Sequence, residues 1–282
     1  NGELPTWLPL PPPGQKVRGS VRESGARPTR VRSLGVAQAL HWNAGVASGF
    51  APPSRIDHVP PNVPRSSSFR SRVVSEETAN SVTHGLGLVA SAVAMPVMIL
   101  AALARDDPWQ VVAAVVFGTS LMLLYGASTC YHALPQCDAK RIFRLVDHSA
   151  IYVLIAGTYT PFALGVLRGP WGWSILGAVW SLAAFGIVLK CTRGFGPKWL
   201  STAAYLAMGW LALVMIRPLY LRVGPGGLAL LFAGGLCYTA GVVFFAKDTR
   251  LRFGHMVWHL FVLAGSAFHV LAVLWHAGGR TA

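Results

Sequence analysis

The chain has 282 residues, of which 53% are hydrophobic and only 12% are charged. Soluble globular proteins carry about twice that charged fraction, so the composition excludes a soluble globular enzyme and predicts a polytopic membrane protein. The formal net charge is +14, but the basic residues of the second part of the chain lie in short loops, which indicates membrane topology and contact with anionic lipids rather than nucleic-acid binding.

The first segment of the chain, residues 1–74, is rich in Pro, Arg, Ser and Gly and shows little periodicity. Such a segment cannot bury enough apolar surface to offset the entropy of ordering it, so we predict that it is disordered. It is Arg-rich and acid-poor like an organelle transit peptide, but an added leader or translation from upstream of the true start explains it equally well. Residues 75–282 form the second predicted segment, a membrane domain.

Seven apolar segments separated by short polar loops make up this membrane domain. We place them at residues 81–103, 109–132, 145–167, 171–189, 199–216, 226–246 and 253–276. Each is about as long as a helix must be to cross the hydrocarbon core of a bilayer. The sequence therefore predicts an all-α membrane protein, a bundle of seven transmembrane helices with a disordered N-terminal extension.

The loops between these segments predict how the protein is oriented. The loops after spans two, four and six contain nine Lys or Arg, whereas the loops after spans one, three and five contain four. Basic residues concentrate on the cytoplasmic side, so we expect a cytoplasmic N-terminus and an outside C-terminus in the plasma (inner) membrane.

The seventh predicted span carries four histidines and no Asp, Glu, Lys or Arg. His255 and His259 are four residues apart, so they project from one face of a helix about one turn apart. A pair of neutral imidazoles at this spacing can hold a zinc ion, although hydrogen bonds to neighbouring helices explain the pair equally well. His269 and His276 are too far along the helix to bind the same ion.

With the predicted orientation, several polar residues lie at one depth near the inner interface. They are Ser128, His132, Asp147, His148, His255 and His259. Three histidines, His132, His255 and His259, leave the fourth position of a tetrahedral zinc ion open, which is typical of a catalytic site. Zinc lowers the pKa of bound water to about 7, and Asp147 can accept a proton from that water or orient it.

Four polar residues near the predicted site each have two interpretations. Ser128 lies one turn from His132, and its hydroxyl either points into the same pocket or bonds back to its own helix. His84 and Asn80 share a face of span one and either line the site or bond between helices. His148 points about 100° away from Asp147 on a helix, so we expect it to pack or to form a hydrogen bond.

These residues resemble the signature of the hemolysin III family, which belongs to a larger group that includes the progestin and adiponectin receptors. The pattern is Ser128-x3-His132, then Asp147 at the start of the next helix, then His255-x3-His259 at the start of the last. The strings ETANSVTHG (77–85), GTYTPF (157–162) and HMVWHLFVLAG (255–265) agree with it. The resemblance covers roughly residues 75–278.

The resemblance implies a seven-helix bundle with zinc bound near the cytoplasmic face by His132, His255 and His259. It also implies that Asp147 and Ser128 lie beside the zinc-bound water. The long N-terminal segment departs from the bacterial members of the family, which usually lack it.

Three functions stay open on this evidence. An open three-histidine zinc site with an acid beside it predicts a hydrolase that cleaves an amide or ester of a membrane lipid bound within the bundle. The family name implies a pore-forming hemolysin or cytolysin, although no span carries a charged stripe. In a receptor or membrane-state sensor, the zinc would be structural and required for folding. The sequence does not reveal the substrate or the oligomeric state.

Overall fold

The structure, a computed structural model, describes residues 67–194 and 196–278, with side chains from residue 71 onwards. Within these ranges the chain forms seven α-helices, one 3-10 helix and no strand. The helices are α1 (Ser67–Leu103), α2 (Pro108–Ala133), α3 (Asp138–Leu164), α4 (Pro170–Arg193), α5 (Lys198–Trp210), the 3-10 helix Leu211–Met215, α6 (Ile216–Ala246) and α7 (Gly254–His276). The prediction made for residues 1–66 lies outside the described residues.

The helices are those of an integral membrane protein. Five helical segments are long and apolar enough to cross a membrane, at residues 71–103, 108–133, 170–193, 198–246 and 254–276. Helix α3 is not among them because charged residues occupy its first turns and several Thr and Tyr residues follow. The all-helical membrane fold is therefore confirmed, whereas the division into seven crossings stays a prediction.

Helix α1 begins earlier than the sequence pattern indicates. It starts at Ser67, three residues after Pro64, the last of the N-terminal prolines. The predicted boundary between residues 74 and 75 thus falls within α1. As a result Glu77, which precedes the predicted first span, lies on the same helix as Asn80, Thr83 and His84.

The helical segment 198–246 is interrupted twice. At Gly224 the backbone adopts φ 70°, which glycine tolerates and other residues rarely do, and Pro225 follows. Earlier, the 3-10 helix 211–215 departs from regular α-helical hydrogen bonding. The Tyr159 hydroxyl lies 2.7 Å from the carbonyl oxygen of Gly209 and accepts a hydrogen bond from the amide of Ala212 at 2.9 Å. Helix α3 therefore satisfies backbone groups that the interruption exposes.

Close packing brings α1 against α2 and α7. A Cβ atom at Gly87 of α1 would lie 2.6 Å from the Leu263 side chain of α7 and 2.8 Å from the Tyr125 ring of α2, so a larger residue would force these side chains to move. Beside this contact the Tyr125 hydroxyl donates a hydrogen bond to Ser266 of α7 at 2.7 Å. Small residues allow membrane helices to pack closely where apolar burial gives little driving force. The arrangement fixes the depth of the polar residues of α1 relative to the histidines of α7.

Asp107, in the loop between α1 and α2, contacts the loop between α3 and α4. Its carboxylate caps α2 by accepting from the amide of Trp109 at 3.0 Å, and it accepts from Nη1 of Arg168 at 2.8 and 2.9 Å. Burial raises the pKa of Asp107, but the hydrogen bonds from Arg168 and Trp109 lower it more, so the pKa lies below its ordinary value. The charged form is therefore the one that stabilises the fold.

Asp107→Asn keeps an oxygen for the cap and removes the charge that pairs with Arg168. We expect it to lower the free energy of unfolding by about 0.5 to 1 kcal/mol at pH 7. The difference from wild type should be present above pH 4 and vanish as the pH falls through the lowered pKa, because wild-type Asp107 is then also neutral. Thermal unfolding in detergent across this pH range measures it. Asp106→Asn is the matched control, and an equal pH-dependent loss there would contradict the assignment.

Candidate metal centre

Three histidines converge where α2 ends and α7 begins. His132 lies in the last turn of α2, and His255 and His259 lie in the first two turns of α7. One ring nitrogen from each lies within 4.8 Å of the other two. Bonds of about 2.1 Å to a tetrahedral ion would place such atoms roughly 3.4 Å apart, so a small movement of the rings completes the geometry. These three residues can hold a metal ion.

The hydrogen bonds around the three rings indicate which nitrogen faces the centre. His132 Nδ1 lies 2.6 Å from Glu77 Oε2, and His255 Nδ1 lies 3.3 Å from Asp248 Oδ2. His259 Nδ1 lies 3.2 Å from the carbonyl oxygen of Asn80. All three partners are acceptors, so each Nδ1 carries the hydrogen and each Nε2 presents a lone pair.

An unpartnered nitrogen supports the fit of a metal ion. His132 Nε2 is buried and, among the residues that the structure describes, has no hydrogen-bond partner. Leaving a buried polar atom unsatisfied costs about 1–3 kcal/mol, which a bound cation would offset. His132 is only 6% exposed and His259 only 1%, so water has little access to supply the missing hydrogen bond. Neutral imidazoles in this arrangement are a donor set that divalent transition metals accept.

Asp147 and Ser128, the two residues predicted to assist the metal, lie at the same end of the bundle. Both are buried, and both line one cavity together with His255 and His259. Asp147 Oδ2 is 3.4 Å from Nδ1 of His148, whose ring also donates to the backbone oxygen of Arg144 at 3.0 Å. The structure thus brings the predicted residues together, while the roles of Asp147 and Ser128 stay predictions.

Helix α1 contributes residues that the sequence left with two interpretations. The His84 ring stacks on the His259 ring with centroids 3.5 Å apart and an interplanar angle of 12°. Both His84 nitrogens are buried without a hydrogen-bond partner in the described part of the chain, and the ring lines the cavity. Asn80 contacts the site through its backbone oxygen. Both residues therefore lie at the site and not only between helices.

The cavity extends from the histidines into the apolar interior. It has a volume of about 190 Å³ and is lined mainly by apolar side chains of α3, α5, α6 and α7 and of the 3-10 helix. His259 and His269 both line it, and ten residues of helix separate them by about 15 Å. His269 Nε2 donates to the backbone oxygen of Leu231 at 3.3 Å. The cavity therefore joins a polar end to a long apolar channel.

Two carboxylates at this site, those of Glu77 and Asp248, are not apparent from the sequence. Glu77 lies in one of the quoted strings, but the predicted first span begins four residues later, so no role followed for it. Asp248 lies seven residues before His255, and only the turn before α7 brings it close. Burial raises the pKa of Asp248, but hydrogen bonds from His255 and Lys198 lower it below its ordinary value. A charged carboxylate is therefore in place beside His255.

Comparison with known proteins identifies relatives that share most of this chain. Residues 72–270 match a family described as haemolysin-III related. Hemolysin-3 of Bacillus cereus is 45% identical over 205 residues, which cover 72% of this chain and 92% of the relative. The Hemolysin-3 homolog of Bacillus subtilis (strain 168) is 44% identical over 203 residues, which cover 72% and 95%.

A human protein is also similar. The monocyte to macrophage differentiation factor of Homo sapiens is 30% identical over 210 residues, which cover 70% of this chain and 83% of the relative. No solved structure matches the chain significantly. The protein belongs to the haemolysin-III related family, as the sequence motifs indicate.

Removing one ligand should abolish stabilisation by metal. Added Zn²⁺ is expected to raise the melting temperature of the metal-stripped protein, since a ligand at 100 times its Kd stabilises by about 2.7 kcal/mol. His255→Ala should lose this response, whereas His269→Ala, on the same helix but outside the cluster, should keep it. Thermal unfolding in detergent with and without Zn²⁺ measures the difference. An undiminished response of His255→Ala would show that the metal binds elsewhere.

Proposed function

We propose that this haemolysin-III related protein binds zinc through His132, His255 and His259 and hydrolyses an amide or ester bond of a membrane lipid. The observation that carries the proposal is the continuity of the cavity. Its lining runs from histidines and an acid at one end, past mainly apolar side chains, to His269, which lies about 15 Å along α7 from His259. A lipid has the same two parts, a polar group with a cleavable bond and an apolar chain.

The proposed topology has seven crossings with the histidine end in the cytoplasmic half of the membrane. Helix α3 would be one of them, because its second half is apolar and its charged first turns can lie at the interface. The interruption at Gly224 and Pro225 would separate the fifth crossing from the sixth. The excess of basic residues in the loops at the histidine end supports a cytoplasmic N-terminus and an outside C-terminus.

Zinc is the proposed metal because the donor set consists of three neutral imidazoles. Three protein ligands leave a tetrahedral ion with one open position, which is the arrangement of catalytic rather than structural zinc sites. When bound, zinc lowers the pKa of water to about 7 and polarises a carbonyl group. Asp147 and Ser128 line the cavity into which that open position would face.

The side chains of the protein would then handle the protons. Asp147 would accept the proton that water loses as its oxygen attacks the lipid carbonyl carbon, and would return it to the leaving amine or alcohol. The bond from carbon to the leaving nitrogen or oxygen breaks, and a fatty acid and a polar fragment result. The Ser128 hydroxyl would donate a hydrogen bond to the carbonyl oxygen, which gains negative charge in the reaction.

The name of the Bacillus relatives supports a second candidate function. One is called Hemolysin-3 and the other a Hemolysin-3 homolog, so a lytic activity is the alternative for this chain. The apolar helices suit stable residence in a membrane rather than release from a cell. Purified protein that lyses erythrocytes equally well with and without His255 and His259 would favour lysis over hydrolysis.

Asp147→Asn should separate metal binding from chemistry. We expect the variant to bind zinc as wild type does and to release fatty acid about 10² to 10⁴ times more slowly, because the group that moves the proton is lost. Fatty acid release from phospholipids, acylglycerols and N-acyl lipids, followed by mass spectrometry, measures the rate.

The matched control is Asp138→Asn, which removes an exposed carboxylate at the start of the same helix. Full activity of Asp147→Asn would refute the proposed mechanism. Zinc binding without any lipid turnover by wild type would instead indicate a structural metal, as in a receptor or sensor.

A further inference from the structure

Two of the candidate metal ligands, His132 and His255, each contact a carboxylate that in turn contacts a lysine. Each set of three residues is a lysine–carboxylate–histidine chain. In the first, Lys140 Nζ donates to Glu77 Oε1 at 3.3 Å, and Glu77 Oε2 lies 2.6 Å from His132 Nδ1. In the second, Lys198 Nζ donates to Asp248 Oδ2 at 2.8 Å, and the same oxygen lies 3.3 Å from His255 Nδ1. The two chains come from different parts of the sequence and share one order of groups.

Both lysines are fixed by a second contact of the same kind. Lys140 Nζ also donates to the backbone oxygen of Leu134, just after the end of α2, at 2.9 Å. Lys198 Nζ donates to the backbone oxygen of Phe245, near the end of α6, at 3.0 Å. Cations at helix C-termini are stabilised by the carbonyl groups that the helix leaves unpaired. Each lysine is therefore held by a backbone oxygen near a helix end as well as by its carboxylate.

The third ligand is held differently. His259 Nδ1 donates to the backbone oxygen of Asn80 and lies 3.2 Å from Thr83 Oγ1. The single hydroxyl hydrogen of Thr83 has backbone oxygens of its own helix at 2.9 Å, so Thr83 Oγ1 acts toward the ring as an acceptor. No charged group takes part in this contact as described. Carboxylates therefore hold two of the candidate ligands, His132 and His255, whereas neutral groups hold the third, His259.

A carboxylate at Nδ1 has two effects on a ligating imidazole. It fixes the hydrogen on Nδ1 and the orientation of the ring, and it makes Nε2 a stronger donor to the metal. A lysine on the far side of the carboxylate balances its charge, which an apolar bundle otherwise tolerates poorly.

We propose that Glu77 and Asp248, each held by its lysine, are positioning residues that orient His132 and His255 and set the affinity of the site for metal. This inference rests on the metal site of the proposed function but not on the proposed hydrolysis. It also connects the ion to the loops, since Lys140 lies in the first turn of α3, Lys198 begins α5 and Asp248 lies in the turn before α7.

The test measures the Zn²⁺ dissociation constant of detergent-purified full-length protein by competition with a chromogenic chelator, together with the melting temperature of the metal-free form. Glu77→Leu and Asp248→Leu are expected to weaken binding 10- to 100-fold. Glu77→Gln and Asp248→Asn should recover part of this loss, because the amide oxygen still accepts from Nδ1. Lys140→Met should weaken binding by less than Glu77→Leu.

Asp138→Asn is the matched control, because it removes a solvent-exposed carboxylate at the same end of the bundle. It should bind Zn²⁺ within about threefold of wild type, well below the loss expected for a positioning residue. Visible absorption of the Co²⁺-substituted protein gives a second readout, and it should change in the Glu77 and Asp248 variants and stay unchanged in Asp138→Asn.

The outcomes are distinguishable. Wild-type affinity in all four Glu77 and Asp248 variants would overturn this inference and leave the zinc site standing. A lower melting temperature of the metal-free variants without any change in affinity or Co²⁺ spectrum would also overturn it, because the carboxylates would then only stabilise the fold. If a Leu variant does not fold, the Gln or Asn variant against Asp138→Asn decides. Wild type that binds no Zn²⁺ would overturn both this inference and the proposed function.

Discussion

A histidine nitrogen buried among apolar helices is costly to leave without a hydrogen-bond partner or a metal ion, and the requirement to satisfy such nitrogens governs one end of the bundle. The three rings have six nitrogens between them. The Nδ1 atoms of His132, His255 and His259 meet two carboxylates and a backbone oxygen, so the hydrogen of each ring is already placed. The remaining nitrogens then carry lone pairs, and one ring nitrogen of each residue lies within 4.8 Å of the other two, which favours a cation at their centre. The polar residues of four helices are arranged around that requirement.

The packing of the helices and the turn before α7 bring these groups together. The close approach at Gly87 brings α1 against α2 and α7, so residues of α1 reach both ligand helices. The turn before α7 ends with Phe253 in a left-handed conformation, φ 56°, and places Asp248 against the first turn of that helix. The 3-10 interruption at residues 211–215 lies along the cavity, and Tyr159 satisfies its backbone. Irregular backbone in a membrane protein is tolerated where protein groups satisfy it or where it borders a cavity.

Much of this arrangement follows from the sequence. The spacing of His255 and His259 places them on one face of a helix, and the position of His132 at the end of another apolar segment places it at a similar depth. The all-helical membrane fold and the family also follow from composition and motifs. These predictions succeed because helical periodicity and bilayer thickness are local constraints that a single segment must satisfy.

Other features of the site depend on contacts between segments, which one sequence does not reveal. Glu77 precedes the apolar part of α1, so hydropathy alone leaves it at the boundary. Asp248 and Lys198 are fifty residues apart, and their contact depends on how α5 and α6 lie together. The stacking of His84 on His259 likewise depends on the rotation of α1 about its axis. Residues of this kind are recognised once the three-dimensional packing is known.

The position of the polar groups relative to the cavity limits which molecules can use the site. The three residues His255, His259 and Asp147 lie at one end, whereas the rest of the cavity is lined mainly by apolar side chains, with His269 and a few Tyr and Thr hydroxyls among them. A soluble peptide or sugar would lose its hydration along this cavity and find few partners, which is costly for polar groups. A molecule with one polar end and a flexible apolar remainder avoids that cost and delivers its polar end to the histidines. The distribution of polarity along the cavity therefore favours a lipid over a water-soluble substrate, independently of which bond is cleaved.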